Sequence, residues 1–384
     1  MSKNSIPKIR FNNFKAFWVE KKIADIVKIS AGGDVDKERL KQSGKYPVIA
    51  NALTNKGIVG FYDDYKVKAP AVTVTGRGDV GYAVARHENF TPIVRLLTLQ
   101  SDNIDVDYLE NQINSMRILN ESTGVPQLTA PQLGNYKVYH PEIDEQSAIG
   151  SLFRTLDDLL ASYKDNLANY QSLKVTMLSK MFPKAGETVP KIRLDGFEGE
   201  WEVVNLGTLI ENYDEIISGV SGFPIATSSR KGLYLQNDYF EGGRTGIDLT
   251  LDFHRVPMGY VTYRHMSDDS IFKFNKNNFE TDVLVSKEYP VFMSNDSSDI
   301  DFILYHLNNS RLFLRFSTMQ KLGGTRVRLY YKNLITYKLA VPTIKEQQAI
   351  GSYFSNLDNL INSHQEKISQ LETLKKKLLQ DMFI

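Results

Sequence analysis

Between residues 144 and about 181 apolar side chains return in a fixed rhythm. Ile149, Leu156, Tyr163, Tyr170 and Met177 recur every seven residues, and Leu152, Leu159 and Leu173 follow three places after their partners. This is the a/d pattern of a heptad helix, interrupted by no proline and by a single glycine, Gly150. Phe153, Leu160, Leu167 and Met181 widen the stripe on one flank. The rhythm comes back near the end of the chain, with Ile350, Leu357, His364, Leu371 and Leu378 at one position and Tyr353, Leu360 and Leu374 at the other. Thr343 followed by Glu346 reads as a capping box for the second helix, and Pro183 and Gly186 end the first. About 38 residues at 1.5 Å each make a rod of about 57 Å. A rod of that length cannot bury its stripe on one small domain, so the two stripes are expected to pack on each other, antiparallel about a pseudo-twofold axis. Ile149, Leu152, Leu156 and Leu159 then face Ile350, Tyr353, Leu357 and Leu360. Asn166 and Lys367 would be polar residues in the seam, His364 a packed core histidine, and Asp157 and Asp358 solvated.

Elsewhere the period is two. Residues 19–135 read as short strands with one helix near Asp107 to Leu119. Residues 202–336 read similarly, with YVTYR, SIFKFN and VLVSKEYPVFMS as strands and a helix after Asp301. The stretch VTVTGRGDVGYAVA, residues 72–85, carries Gly76, Gly78 and Gly81 in the spacing of a dinucleotide fingerprint. Tyr82, Val84 and Arg86 alternate with Ala83 and Ala85, however, so no helix N-terminus follows to hold a phosphate. A hairpin is predicted instead, with Arg77 at its tip.

The chain is also written twice. PKIRFNNFKAFW from Pro7 returns as PKIRLDGFEGEW from Pro190, and DYLENQIN from Asp107 resembles DFILYHLN from Asp301. YKVYHPEIDEQSAIGSLFRTLDDLL from Tyr136 matches YKLAVPTIKEQQAIGSYFSNLDNLI from Tyr337, and both copies end in Met-Phe, at Met181-Phe182 and Met382-Phe383. The separation between matches grows along the repeat, so the second copy has gained residues in its middle. A duplicated frame carries two diverged inserts. The expected order is a first domain over 1–143, a long helix over 144–182, a linker over 183–189, a second domain over 190–344 and a second helix over 345–384. The fold class is α+β: two mixed α/β domains joined by two long helices that form an antiparallel coiled coil.

Composition narrows the chemistry. The net charge is +1 and there is no cysteine, which excludes disulfides and thiolate metal sites. No secretory leader is evident at the N-terminus and no apolar run is long enough for a bilayer, so a soluble cytoplasmic protein without membrane partners is expected. Basic residues are clustered. No acid falls between Asp301 and Glu346, where Arg311, Arg315, Lys321, Arg326, Arg328, Lys332, Lys338 and Lys345 interleave with aromatics. Arg39, Lys41, Lys45 and Lys56 lie in an acid-free run ending at Tyr62. Such patches suit nucleic-acid phosphates, and arginine can read guanine edges. Charge, loop position and strand alternation make Lys45, Lys56, Arg77, Arg86, Arg244, Arg264, Lys321, Arg326 and Arg328 the candidate contacts to double-stranded DNA. No P-loop, Pro-Pro pair, G-x-S-x-G or metal-spaced histidine pair is present. The pattern is that of a binding protein, with no catalytic residue, metal or cofactor assigned. A coiled-coil scaffold joining two protein-binding domains, and a nucleotide-using enzyme built on Gly76 to Gly81, are the rival readings.

The duplicated frame, with P-x-I-x-E-Q-x-A-I-G-S opening each helix at Glu145 and Glu346, resembles the specificity subunit of type I restriction–modification systems over essentially the whole chain. The resemblance implies two target recognition domains, each reading one half of a split DNA site, and helices that set the spacing. It implies docking of two methyltransferase subunits, which bind S-adenosylmethionine, and of restriction subunits that use ATP. It also implies that this chain does no chemistry itself.

Overall fold

The computed structural model describes residues 6–116, 118, 127–239, 248–321 and 326–383. Two helices dominate the secondary structure, Ile143–Lys180 and Ile344–Asp381, each of 38 residues. Contacts group the chain differently from its order along the sequence. One compact unit holds residues 1–166 and 364–384, and the other holds 167–363. Each unit therefore contains one insert, the head of its own long helix and the tail of the long helix from the other repeat.

In the first unit the two helices run antiparallel. Asp157 pairs with Lys375 and Lys164 with Glu372 at 2.7 Å, while the Tyr163 ring lies 5.2 Å from that of His364. In the second, Lys174 pairs with Asp358 and Phe182 stacks 6.3 Å from Phe354. The two ion pairs use the same two positions of the repeat. Asp157 and Asp358 are thus interhelical partners and not freely solvated carboxylates. The buried columns are Ile149, Phe153, Leu156 and Leu160 on one helix and Ile350, Phe354, Leu357 and Ile361 on the other. Leu159 and Leu360, expected in the seam, are 42% and 44% exposed, Asn166 and Lys367 are exposed, and His364 is half-buried. The stripe is rotated toward the Phe153 side. Each helix head must cover its own insert as well as the other helix, and only that side faces both.

The inserts share a topology that their sequences hide. The first has an antiparallel sheet in the order Lys28–Ala31, Leu97–Gln100, Ala71–Val74, Ala83–Arg86. The second has Ile210–Tyr213, Val291–Ser294, Val261–Tyr263, Phe274–Lys276 in the same order of first, last and middle strands. A three-stranded sheet accompanies each one. Each insert is closed by the same ribbon: Val19–Lys22 pairs with Lys137–His140, and Glu202–Asn205 with Lys338–Val341. The expected helices are Val106–Ser115 and Ile300–Asn309.

The repeated motif residues explain themselves at this junction. Asp105 and Asp299 cap those two helices, accepting from Tyr108 N and Phe302 N at 2.8 Å. Gln146 and Gln347 then lock the caps to the long helices. Their Oε1 atoms accept from Asp105 N and Asp299 N, and their Nε2 atoms donate to Pro141 O and Pro342 O. Gly150 and Gly351 allow the approach, since a Cβ there would lie 2.3 Å from Asp105 Oδ1 and 2.5 Å from Asp299 Oδ1. The buried carboxylate of Glu145 accepts from Arg10 Nε and Nη2, both at 2.6 Å, and Glu346 accepts from Arg193 Nε and Nη2 at 2.8 and 2.7 Å. Glu346 is engaged by the repeated Pro-Lys-Ile-Arg segment, which replaces the capping box read from Thr343. The isoleucine of that segment ties the other helix's tail, with Ile9 N donating to Asp381 O and Ile192 N to Lys180 O.

The Met-Phe ends are plugs. Met382 and Phe383 enter an aromatic socket of Trp18, Tyr108, Ile149 and Phe153 in the first unit. Met181 and Phe182 fill the equivalent socket of Trp201, Phe302, Ile350 and Phe354 in the second.

Candidate nucleic-acid interface

The glycine-rich loop is a hairpin. Ala71–Val74 pairs with Ala83–Arg86, and Gly81 N donates to Thr75 O across the loop. Gly78 and Gly81 have φ of 70° and 88°, which explains two of the glycines. The Gly76 N–H, the donor a phosphate would need, already donates to Asn51 Oδ1 at 2.7 Å. A nucleotide-using enzyme loses its site here. Asn51 also donates to Val94 O, so the loops around residues 51–57, 75–82 and 93–95 abut. They bring exposed Lys56, half-buried Arg77 and exposed Arg95 to one edge of the first unit. Arg95 was not legible as a candidate. It stands in a short turn with φ of 60° that nothing in the strand pattern marks.

Two expectations for this unit change. Arg86 is 9% exposed, and its guanidinium donates to Thr73 Oγ1 and Lys56 O. Burial pushes its pKa down to about 10. It is a tie inside the sheet and offers no guanidinium to DNA. The acid-free run is also not acid-free in space. Tyr46–Ile49 pairs with Ile58–Tyr62, and that hairpin returns Asp63 and Asp64 to Lys41 and Arg39, at 2.6 Å each. Lys45 is exposed but at the opposite end of the same hairpin from Lys56, with its ammonium 5.1 Å from the Tyr46 ring.

In the second unit the cations converge. A cleft of about 510 Å³ is lined by Arg230, Lys231, Arg264, Lys273 and Arg326, with Asp268 among them. Arg264, Arg326 and Arg328 are exposed; Arg328 lies on the short strand Val327–Arg328, Arg326 immediately precedes that strand, and Val327 between them is buried. Arg230 and Lys231 are the two turn residues of the hairpin Ala226–Ser229 to Gly232–Leu235. Neither is legible in the sequence, because that hairpin has no strong apolar alternation. Burial, and then the neighbouring Lys174, hold the Lys273 ammonium below the usual lysine range. Lys321 is exposed away from the cleft lining, and Arg244 lies outside the described residues. Among the described residues no His, Asp or Glu group is arranged to hold a metal ion, and no helix is long and apolar enough to cross a membrane.

The fold and these faces define a class: two cation-bearing α+β recognition domains set on a duplicated helical frame. A family model described as the type I restriction modification DNA specificity domain matches residues 16–196 and 235–373. The chain belongs to that family of DNA specificity domains. A protein of Methanocaldococcus jannaschii named as a type I restriction enzyme specificity subunit is 24% identical over 287 residues, which is 68% of this chain and 61% of that one. A type I specificity subunit named in Mycoplasma pneumoniae is 22% identical over 370 residues, covering 93% of this chain and 94% of its own. The crystal structure of a type I restriction–modification S subunit from M. genitalium shares the fold, with a TM-score of 0.65 at 15% identity over 99% of both chains.

Proposed function

We propose that each recognition domain reads one half of a split, asymmetric DNA site and that the paired helices fix the distance between the halves. The first half-site meets Lys56, Arg77 and Arg95; the second meets the cleft around Arg264 and Arg326, with Arg328 beside it. The long helices and the repeated segments dock two methyltransferase subunits, which carry S-adenosylmethionine, and restriction subunits with their ATP join that assembly. The chain works on chromosomal DNA in the cytoplasm. One observation carries this reading: the glutamine–aspartate and arginine–glutamate contacts of the frame recur in both units, while the cation-bearing faces it presents differ. Equal partners docked on equal frames would act at two different sequences. The test is a methylation map of DNA from cells expressing this chain with its methyltransferase. An interrupted motif with unlike halves and a fixed spacer is expected. One contiguous motif, or methylation independent of this chain, contradicts it.

A further inference from the structure

The cleft of the second unit contains an arrangement that phosphate binding does not call for. Asp268 and Asp269 are neighbours on one loop, and each holds an arginine from a different element. Arg326 Nε donates to Asp268 Oδ1 at 2.8 Å, and Arg230 Nη2 donates to Asp269 Oδ1 at 2.6 Å. The loop itself is fixed. Ser267 Oγ and Ile271 N both donate to Asp269 Oδ1, and Ser270 takes a left-handed φ of 65°. The Ser270 carbonyl accepts from the buried Ser317 hydroxyl at 2.8 Å. Both arginines remain more than half exposed.

Surface ion pairs contribute little to stability, so folding does not explain two of them on one rigid loop. A phosphate does not explain them either, since a carboxylate beside the guanidinium repels it. A base edge is different. Guanine presents two uncharged acceptors, O6 and N7, to a bidentate donor. A carboxylate at Arg326 Nε leaves both terminal amino groups for that edge and holds them in one plane. The contact at Arg230 Nη2 leaves one N–H on that nitrogen and both on Nη1 for the same use. Fixing a long side chain beforehand also removes entropy that binding would otherwise cost. Lys231, Arg264, Lys273 and Arg328 make no ion pair among the described residues.

Resting on the reading of this cleft as a DNA-recognition face, we infer that Arg230 and Arg326 are base readers, each set by its aspartate for a guanine, so that the second half-site contains two G·C pairs read in the major groove. Lys231, Arg264, Lys273 and Arg328 contact phosphate.

The test uses the full chain assembled with its methyltransferase partners. A DNA library with every base pair of the second half-site varied reports methylation by R326A, R230A, D268N, D269N and R328A. R326A and R230A should each relax discrimination at one G·C pair by roughly 5- to 100-fold. D268N should relax the same pair as R326A, and D269N the same pair as R230A. R328A should lower methylation on all sequences alike and reduce the salt slope by about one. Uniform losses from R326A and R230A, relaxation at A·T pairs, or no change overturns the inference while leaving the proposed function intact. An unaltered chain that confers no sequence-dependent methylation overturns both.

Discussion

Where the first unit places Glu110 on the helix Val106–Ser115, the second places Leu304 on Ile300–Asn309. Each stands five residues after the capping aspartate. Glu110 is half-buried beside Asp157 of the interhelical ion pair, and burial, then Asp157, pushes its pKa up to about 7. In the second unit the equivalent Asp358 accepts instead from the Tyr305 hydroxyl at 2.8 Å, with Lys174 as its ion partner. The tryptophans differ in the same way. Trp18 Nε1 donates to Glu145, whereas Trp201 Nε1 is buried without a hydrogen-bond partner among the described residues. Residues that fix how a long helix meets its insert are thus identical in the two units, while polar residues merely near that junction are not. Register leaves little latitude at Asp105, Gln146, Gly150 and Glu145. Hydrogen bonding nearby can be satisfied in more than one way.

The two units should part most severely when their plugs are removed. Replacing Met382 and Phe383 by Ala empties the Trp18–Tyr108–Phe153 socket and should cost the first unit at least about 3–5 kcal/mol. Hydrogen exchange should show its amides deprotected and those of the second unit retained. Met181→Ala with Phe182→Ala should give the reverse pattern.

Next come the buried ion pairs. Arg10→Met strands the Glu145 carboxylate and Arg193→Met strands Glu346, each at about 3–5 kcal/mol by denaturant unfolding. Adding Glu145→Leu or Glu346→Leu should restore most of the loss. Recovery should be fuller in the second unit, because Trp18 loses a hydrogen bond to Glu145 and Trp201 has none to lose among the described residues.

A smaller effect separates the units by pH. Glu110 keeps its proton in the folded state up to about pH 7, against an ordinary value of 4.5. Its contribution to stability is therefore fully present below about pH 4.5 and lost as pH rises through about 7, because the unfolded chain ionises first. Glu110→Gln should stabilise the first unit by about 1–3 kcal/mol at pH 8 and leave it unchanged at pH 4. Thermal melts at the two pH values check this, and Leu304→Gln in the second unit should show no such pH dependence. Smallest is the exchange Asp157→Lys with Lys375→Asp. It keeps a partly exposed pair and should move stability by no more than about 1 kcal/mol in the same melts.

Much of this architecture was legible in the sequence. The heptads, the repeat and the alternation around Gly76 to Gly81 are local patterns, and they gave the helices, the duplicated frame and the hairpin. What escaped depends on contacts between distant residues. Leu159 and Leu360 fit the heptad as well as Leu156 and Leu357. Only the need to face the insert and the other helix together turned them outward. The repeated Met-Phe pair was visible, but its exchange into the other repeat's socket has no sequence signature. Arg86 reads as a strand cation until Thr73 and the Lys56 carbonyl are found against it. Arg39 and Lys41 read as unpaired until the hairpin returns Asp63 and Asp64. The common sheet order of the two inserts was hidden because their strands share backbone pairing and hardly any side chains.

Two independent readers on one frame should be exchangeable one at a time: residues 206–336 are replaced by the corresponding insert of another family member, and methylation is mapped with the same methyltransferase. One half-site should change completely while the other half-site and the spacer length stay as they were. A change in both halves, or in the spacer, would contradict that independence.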